Sequence, residues 1–322
     1  MSTPTMRAVV QDAFGGPEVL RVADVPRPEP LPTEVLVRVR AAGVNPVDWK
    51  TRSGSGMAGV LGAPPFVLGW DVSGVVEEVG FGVTTLRPGD EVYGMPWFPR
   101  QAGGYAEYVT APARQFARKP ARLDHEEAAA VPLAALTAWQ ALVDTAGLQA
   151  GQRVLVHAAA GGVGHLAVQF ARHLGATVVG TARAERHAWL TELGAEQVID
   201  HTTARFEDEA GKVDVVLDLV GDDHDRTATR SLGVLRPGGL LVAVPAGVSP
   251  ELRAAADESG VRTSPFLVEP DAPALTRVAE LIDAGDVRVA VEDVFPLDRA
   301  ADAHTRGETG RTRGKLVLRV AP

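Results

Sequence analysis

The chain contains no cysteine. It therefore has no disulfide, no thiolate nucleophile and no thiolate ligand for zinc, and any metal site would rest on histidine and carboxylates alone. Basic residues are outnumbered: 32 Lys and Arg stand against 41 Asp and Glu, for a net charge of -9. The broad basic field that nucleic acid or an anionic membrane surface requires is missing. No apolar run approaches the roughly 18 residues of a membrane span. The opening residues show no basic segment followed by a long apolar one, so no secretory signal is expected and cytoplasm is the default location. What is present fits a soluble globular chain: 45% hydrophobic and 23% charged residues over 322 positions, a length that suggests about two domains.

The first third reads as short strands. Residues 6–10, 34–40, 72–79 and 91–94 are rich in Val and Leu. In 34–40, Val35, Val37 and Val39 alternate with Leu36, Arg38 and Arg40, the period of a half-buried strand. Pro26, Pro28, Pro30 and Pro32 mark an extended connector, and Arg87-Pro88-Gly89-Asp90 marks a turn. From about residue 123 the pattern changes. Ala-rich helical stretches at 124–130 and 134–145 precede an alternation of strands (154–157, 177–181, 198–200, 213–220, 239–244) with helices (163–174, 186–193). A last strand is expected at 314–320. Such alternation predicts a parallel sheet packed with helices.

The strongest local feature is the strand 154–157 running into Ala158-Ala159-Ala160-Gly161-Gly162-Val163-Gly164 and then an amphipathic helix. Gly161 and Gly162 let backbone approach a pyrophosphate, Gly164 lets helix and strand pack closely, and the helix N-terminus offers free N–H groups to the anion. Ala159 stands where the first Gly of G-x-G-x-x-G would be. Dinucleotide sites for NAD commonly carry an acid about 20 positions on; here, 19 residues after Gly164, stands Arg183. With Thr181 before it and Arg186, His187 and His201 nearby, this corner suits a 2′-phosphate, and the coenzyme expected is NADPH. Ligands of open α/β sheets lie beyond the carboxyl ends of strands, which adds Val220, Gly221, Val244, Pro245 and Ala246. Asp218, His157 and His173 are expected to be structural, and the run Asp222-Asp223-His224-Asp225 to be a solvated turn.

Taken together, seven segments in one order resemble the medium-chain dehydrogenase/reductase superfamily, in its zinc-independent quinone oxidoreductase branch: Gly43–Lys50 (GVNPVDWK), Leu68–Val76, Arg87–Gly94, Gly104–Tyr108, Leu136–Trp139 (LTAW), Ala158–Gly164 and Leu235–Gly239. The resemblance implies an α/β protein with a doubly wound Rossmann parallel sheet plus a chaperonin-10-like (GroES-like) β-barrel domain. On that plan 1–122 is the GroES-like domain, 123–289 the NADP(H)-binding domain and 290–322 a return to the first. It implies a homodimer formed through edge strands of the Rossmann sheet. It also implies that Asn45 and Thr137 contact the nicotinamide half of the coenzyme, that Phe266 and Leu267 border it with Pro265, and that Lys50 lies close by. The zinc-binding Gly-His-Glu of alcohol dehydrogenases is replaced by Gly69-Trp70-Asp71.

Without a Lewis acid, alcohol oxidation loses its usual driver, and activated acceptors fit better. The expected reaction is hydride transfer from NADPH to a small-molecule quinone or α,β-unsaturated carbonyl, with Lys50 or solvent as proton source. Trp49 and Tyr93 are candidates for the substrate pocket, with Trp70 and Trp97 as further walls. Two other readings remain at this level: an enoyl-thioester reductase of a biosynthetic pathway, and a non-catalytic NADPH-binding protein.

Overall fold

The computed structural model describes residues 4–223, 225–245 and 247–321; His224 and Ala246 lie outside the described residues. Two compact units emerge, one from residues up to Leu136 together with Glu269 onward, the other Thr137–Val268. The change-overs fall at 136/137 and 268/269, where the sequence suggested 122/123 and 289/290.

The first unit is antiparallel for the most part. Its strands are β1 (Thr5–Gln11), β2 (Leu20–Pro26), β3 (Glu34–Val44), β4 (Phe66–Val67), β5 (Asp71–Val79), β6 (Glu91–Gly94), β7 (Tyr108–Pro112) and β8 (Phe116–Arg118). A three-stranded sheet runs β2-β1-β4. The larger sheet reaches from β8 through β6, β5 and β3 to two strands from the far end of the chain, with β7 also on β3. The alternation expected over 34–40 is seen at Val35, Val37 and Val39, which are buried, against the half-buried Arg38 and Arg40; Leu36, placed on the outer face by that alternation, is buried as well. The connector expected at Pro26 begins one element late, since Leu20–Pro26 pairs with β1 along its whole length.

The second unit is a six-stranded sheet in which every neighbouring pair is parallel: β9 (Arg153–Val156), β10 (Thr177–Thr181), β11 (Gln197–Ile199), β12 (Val213–Asp218), β13 (Leu235–Ala243) and β14 (Arg262–Pro265), in the order β11-β10-β9-β12-β13-β14. A parallel sheet needs strands apolar on both faces, and Val154, Leu155, Val156, Val215, Val216, Leu217, Leu241 and Val242 are all buried. The strand expected to run to Val220 stops at Asp218. Its carboxylate accepts the backbone N–H of Val220 at 2.9 Å and of Gly221 at 3.1 Å, which turns the chain there. Strand β14, Arg-Thr-Ser-Pro, has no apolar run to announce it and forms only because β13 offers an edge.

The last two strands, β15 (Val291–Pro296) and β16 (Lys315–Arg319), belong to the first unit. They pair with each other in parallel, and β16 pairs antiparallel with β3, Leu316 opposite Val44 and Leu318 opposite Ala42.

Gly164 and Gly43 are among the glycines required by close approach. A Cβ on Gly164 would lie 2.4 Å from the carbonyl oxygen of Ala158, and one on Gly43 2.8 Å from Cβ of Asp71. A Cβ on Gly161 would meet only that same Ala158 oxygen, at 3.3 Å. Gly164→Ala is therefore expected to cost about 1–3 kcal/mol of stability, as overpacking does, while Gly161→Ala changes little. Urea unfolding of the two variants checks this; equal losses would contradict the packing assigned to Gly164.

Candidate active site

Because all six strands of the second unit run the same way, the loops that follow them leave from one edge of the sheet. That edge collects the Gly161 turn after β9, Arg183 after β10, His201 after β11, Val220 and Gly221 after β12, Val244 and Pro245 after β13, and Phe266 and Leu267 after β14. Val220 and Leu267 expose apolar side chains there, 37% and 55% of their surface. An aqueous edge with exposed apolar groups beside free amides suits a ligand that is part ring and part phosphate.

The turn after β9 is held from beneath. Ala158 takes a left-handed backbone conformation (φ 47°), and Gly161 N–H closes the turn onto Ala158 O at 2.9 Å. Gly161 is the N-cap of the Gly162–His173 helix, and no side chain caps it. The first N–H groups of a helix have no intrahelical acceptor, so those of Gly162, Val163 and Gly164 sit at the positive end of the helix dipole. Ala160 is half-buried in the same turn.

A buried chain of hydrogen bonds fixes the floor of this turn. Ala158 N–H donates to Thr181 Oγ1 (3.3 Å); because Ser231 spends its own proton on Thr227 O, the neutral His157 ring carries its proton on Nε2, and the Thr181 hydroxyl donates to His157 Nδ1 (3.1 Å). His157 Nε2–H donates to Ser231 Oγ (2.9 Å), which donates to Thr227 O (2.6 Å). Every proton is assigned by this pattern. His157 is neutral, its pKa pushed down to about 3 by burial. Thr181, expected among the coenzyme contacts, is buried and engaged in tying β10 to the turn.

Of the remaining cofactor candidates, Arg183 is exposed just past the end of β10, and His201 is exposed after β11. Arg186 and His187 are half-buried, and His187 Nε2 donates to Ala182 O at 3.1 Å. The amides of Val220 and Gly221 are already taken by Asp218, which leaves the exposed Val220 side chain at the edge.

In the first unit, a polar cluster that the sequence did not announce surrounds Asn45. Lys315, at the start of β16, is buried, as are Asp71 and Asp48. The Lys315 ammonium donates to Val44 O (3.1 Å), to Asn45 Oδ1 and to Asp71 Oδ2 (3.4 Å). An ammonium has three donors, and all are used. Asp71 Oδ2 also accepts from Asn45 Nδ2 (2.8 Å), and Asp71 Oδ1 accepts from the N–H of Leu133 (2.7 Å), in the first turn of the Pro132–Trp139 helix. Thr137 lies buried on that helix. Burial raises the pKa of Asp71 and lowers that of Lys315, and their mutual attraction opposes both shifts.

Asn45 caps the short Pro46–Arg52 helix in a box with Asp48, whose Oδ2 accepts the Asn45 N–H at 2.7 Å. Burial pushes the Asp48 carboxyl up to about 7. The Tyr105 hydroxyl favours its charged form, yet Asp48 Oδ1 has no hydrogen bond of ordinary geometry. At the other end of the helix, Arg52 donates to Gly15 O (3.1 Å), Glu308 Oε1 (2.5 Å) and His304 Nδ1 (3.2 Å). Since Arg52 can only donate, His304 is neutral with its proton on Nε2, directed at the Tyr105 oxygen 3.2 Å away. Lys50, the candidate proton donor, is exposed in the last turn of this helix.

The pocket residues expected from sequence are partly corrected. Tyr93 is fully enclosed and its hydroxyl donates to Leu275 O at 2.6 Å, so it is packing. Trp70 is likewise buried, its indole donating to Arg100 O at 2.6 Å. Trp97 donates to Thr110 O at 2.7 Å. Trp49 is half-buried, edge-on to His304 with centroids 6.3 Å apart. The signals for the missed cluster were visible: Asn45 and Asp48 stand at capping-box spacing, and Lys315 is a charge that opens the apolar run Leu316–Leu318.

The fold and the uncapped glycine turn define a two-unit protein of the dinucleotide-binding α/β class. Comparison with known proteins agrees. Residues 31–121 match the alcohol dehydrogenase GroES-like domain, and residues 193–318 match a family described as zinc-binding dehydrogenase. The chain is 37% identical to the chloroplastic NADPH-dependent alkenal/one oxidoreductase of Arabidopsis thaliana, over 98% of this chain and 80% of that protein. Among solved structures it superposes on the quinone oxidoreductase of Coxiella burnetii (TM-score 0.92, 38% identity, 99% of this chain and 100% of that one). It also superposes on the Escherichia coli quinone oxidoreductase complexed with NADPH (TM-score 0.85, 30% identity, 98% and 100%). The chain belongs to the medium-chain dehydrogenase/reductase superfamily and fits its quinone oxidoreductase branch. One family description names zinc; the chain has no cysteine to offer it a thiolate, and Asp71 is engaged by an ammonium and two N–H groups.

The neutral state of His157 has a measurable consequence. Its folded pKa lies below the unfolded value of about 6.5, so its contribution is whole above that pH and is lost as pH falls toward about 3. About 2 kcal/mol should be lost between pH 6.5 and 5 from this one group. Asp48 acts in the opposite sense, since a raised carboxyl pKa removes stability as pH rises from about 4 through 7. Urea unfolding across pH 5 to 6.5 should show the stability slope reduced in His157→Gln by about that amount; an unchanged slope would contradict the neutral assignment.

Proposed function

We propose that this chain is a zinc-independent, NADPH-dependent oxidoreductase that reduces quinones or α,β-unsaturated carbonyl compounds. The observation that carries the reading is the uncapped Gly162–His173 helix at the carboxyl edge of a parallel sheet, with an exposed arginine and no acid at the end of the next strand. The names of the relatives support the acceptor class and the coenzyme.

In this reading the N–H groups of Gly162, Val163 and Gly164 hold the pyrophosphate. Arg183 forks onto the 2′-phosphate, with Arg186, His187 and His201 around it. Val220, Val244, Pro245, Phe266 and Leu267 cover the apolar parts of the coenzyme. Reduced nicotinamide, when bound, supplies the hydride. Asn45 is assigned to its ribose, through the one Nδ2 hydrogen that Asp71 leaves over. Lys50, exposed on a helix fixed at both ends, donates a hydrogen bond to the oxygen on which charge develops and then a proton. The acceptor thereby gains a hydride at carbon, or at a quinone oxygen or carbon, and a proton from Lys50 or water. The reading includes a homodimer formed through the edge strands of the second unit's sheet, β11 or β14.

The test is oxidation of NADPH in the presence of a phenanthrenequinone, an alkenal and crotonyl-CoA. Turnover with either of the first two supports the reading; turnover with the thioester alone, or binding without turnover, overturns it. Fluorescence titration should favour NADPH over NADH. Arg183→Ala should weaken NADPH roughly tenfold, the low end for a charge-assisted bond at an exposed site, and leave NADH unchanged; equal losses for both would remove the phosphate clamp. Lys50→Met should lower kcat by about 10²-fold or less, within the range of general-acid catalysis, with little change in NADPH affinity.

A further inference from the structure

We propose that Lys315 is a positioning residue for this reaction: with Asp71 it sets the orientation of the Asn45 carboxamide at the head of the helix that carries Lys50. The inference rests on the functional reading above.

A carboxamide has two orientations related by a half-turn, alike in shape and opposite in hydrogen bonding. At Asn45 the surroundings are not neutral between them. The Lys315 ammonium lies against Oδ1, and Asp71 Oδ2 accepts from Nδ2 at 2.8 Å. Turning the amide over would place its NH2 against a cation that can only donate, and its oxygen against a carboxylate that can only accept. Both contacts would become repulsive in a site shielded from water. The buried ion pair thus selects one orientation and fixes which way the remaining Asn45 Nδ2 hydrogen points.

The site is built for this pair. Gly43, opposite, leaves room that a Cβ would take from Asp71. Lys315 arrives from the far end of the sequence, on a strand held against β3. Its third donor goes to Val44 O, the residue before Asn45, so the backbone is tied as well as the side chain. Asp71 Oδ1 carries the same constraint to the N–H of Leu133. A pair needed only for packing could be replaced by apolar groups at little cost. A pair that orients an amide cannot.

Two variants separate these roles. Lys315→Met leaves Asp71 buried without its cation; Lys315→Met/Asp71→Asn removes both charges. In the double variant the melting temperature should return to near the wild-type value, while kcat with a quinone stays about ten- to hundredfold low, the effect of a misplaced reacting group. NADPH affinity by fluorescence should stay within about threefold of wild type, because the phosphates bind elsewhere on the chain. Lys315→Met should show the same fall in kcat with a lower melting temperature. If Lys315→Met does not fold, the double variant decides. A stable double variant with wild-type kcat overturns the inference and leaves the ion pair a structural one, with the functional reading intact. Wild-type protein that binds NADPH but reduces no quinone or enone overturns the functional reading itself, before any variant is made.

Discussion

A lysine ammonium cannot be buried unless each of its protons finds an acceptor, and much of the first unit is arranged around that constraint. Lys315 draws together Val44, Asn45 and Asp71, and Asp71 reaches on to Leu133. Four stretches of chain, separated by up to 271 residues, meet at one charge. The net worth of such a pair against an apolar substitute is small, but breaking it costs about 3–5 kcal/mol because the surviving charge is stranded. That asymmetry makes the cluster a device for specificity of arrangement more than for stability.

The short Pro46–Arg52 helix shows the arrangement in use. Seven residues form too short a helix to stand alone. It is fixed at its head by Asn45 and Asp48, and at its tail by Arg52 with Gly15, His304 and Glu308. The Ala300–Glu308 helix supplies two of those partners. The second unit solves a parallel problem by neutral means. A relay from Ala158 through Thr181, His157 and Ser231 to Thr227 holds the glycine turn with every donor and acceptor matched, so no charge is buried there.

The sequence was legible where a local pattern decides the outcome. Strands at Glu91–Gly94 and Thr177–Thr181 stand where alternation and turn residues put them. The Gly162–His173 helix begins at the glycine that the phosphate-loop pattern marked. It was less legible where partners decide. Leu36 is buried although its alternation puts it on the outer face of β3. Strand β14 exists because β13 has an open edge. Tyr93 was a pocket candidate by position and proved to be core, because its hydroxyl finds a carbonyl 182 residues away.

Sequence alone therefore determined the alternation of elements, the glycine turn, the missing acid after β10 and the impossibility of thiolate chemistry, since each depends on residues close in the chain or on composition. Tertiary structure decided which polar groups are spent on the protein itself. Thr181, Val220 and Gly221 are engaged internally, while Asn45 is gripped by Lys315 and Asp71. Hydrogen-bond capacity is consumed by neighbours in space, and those neighbours come from strands that only the folded sheets bring into register.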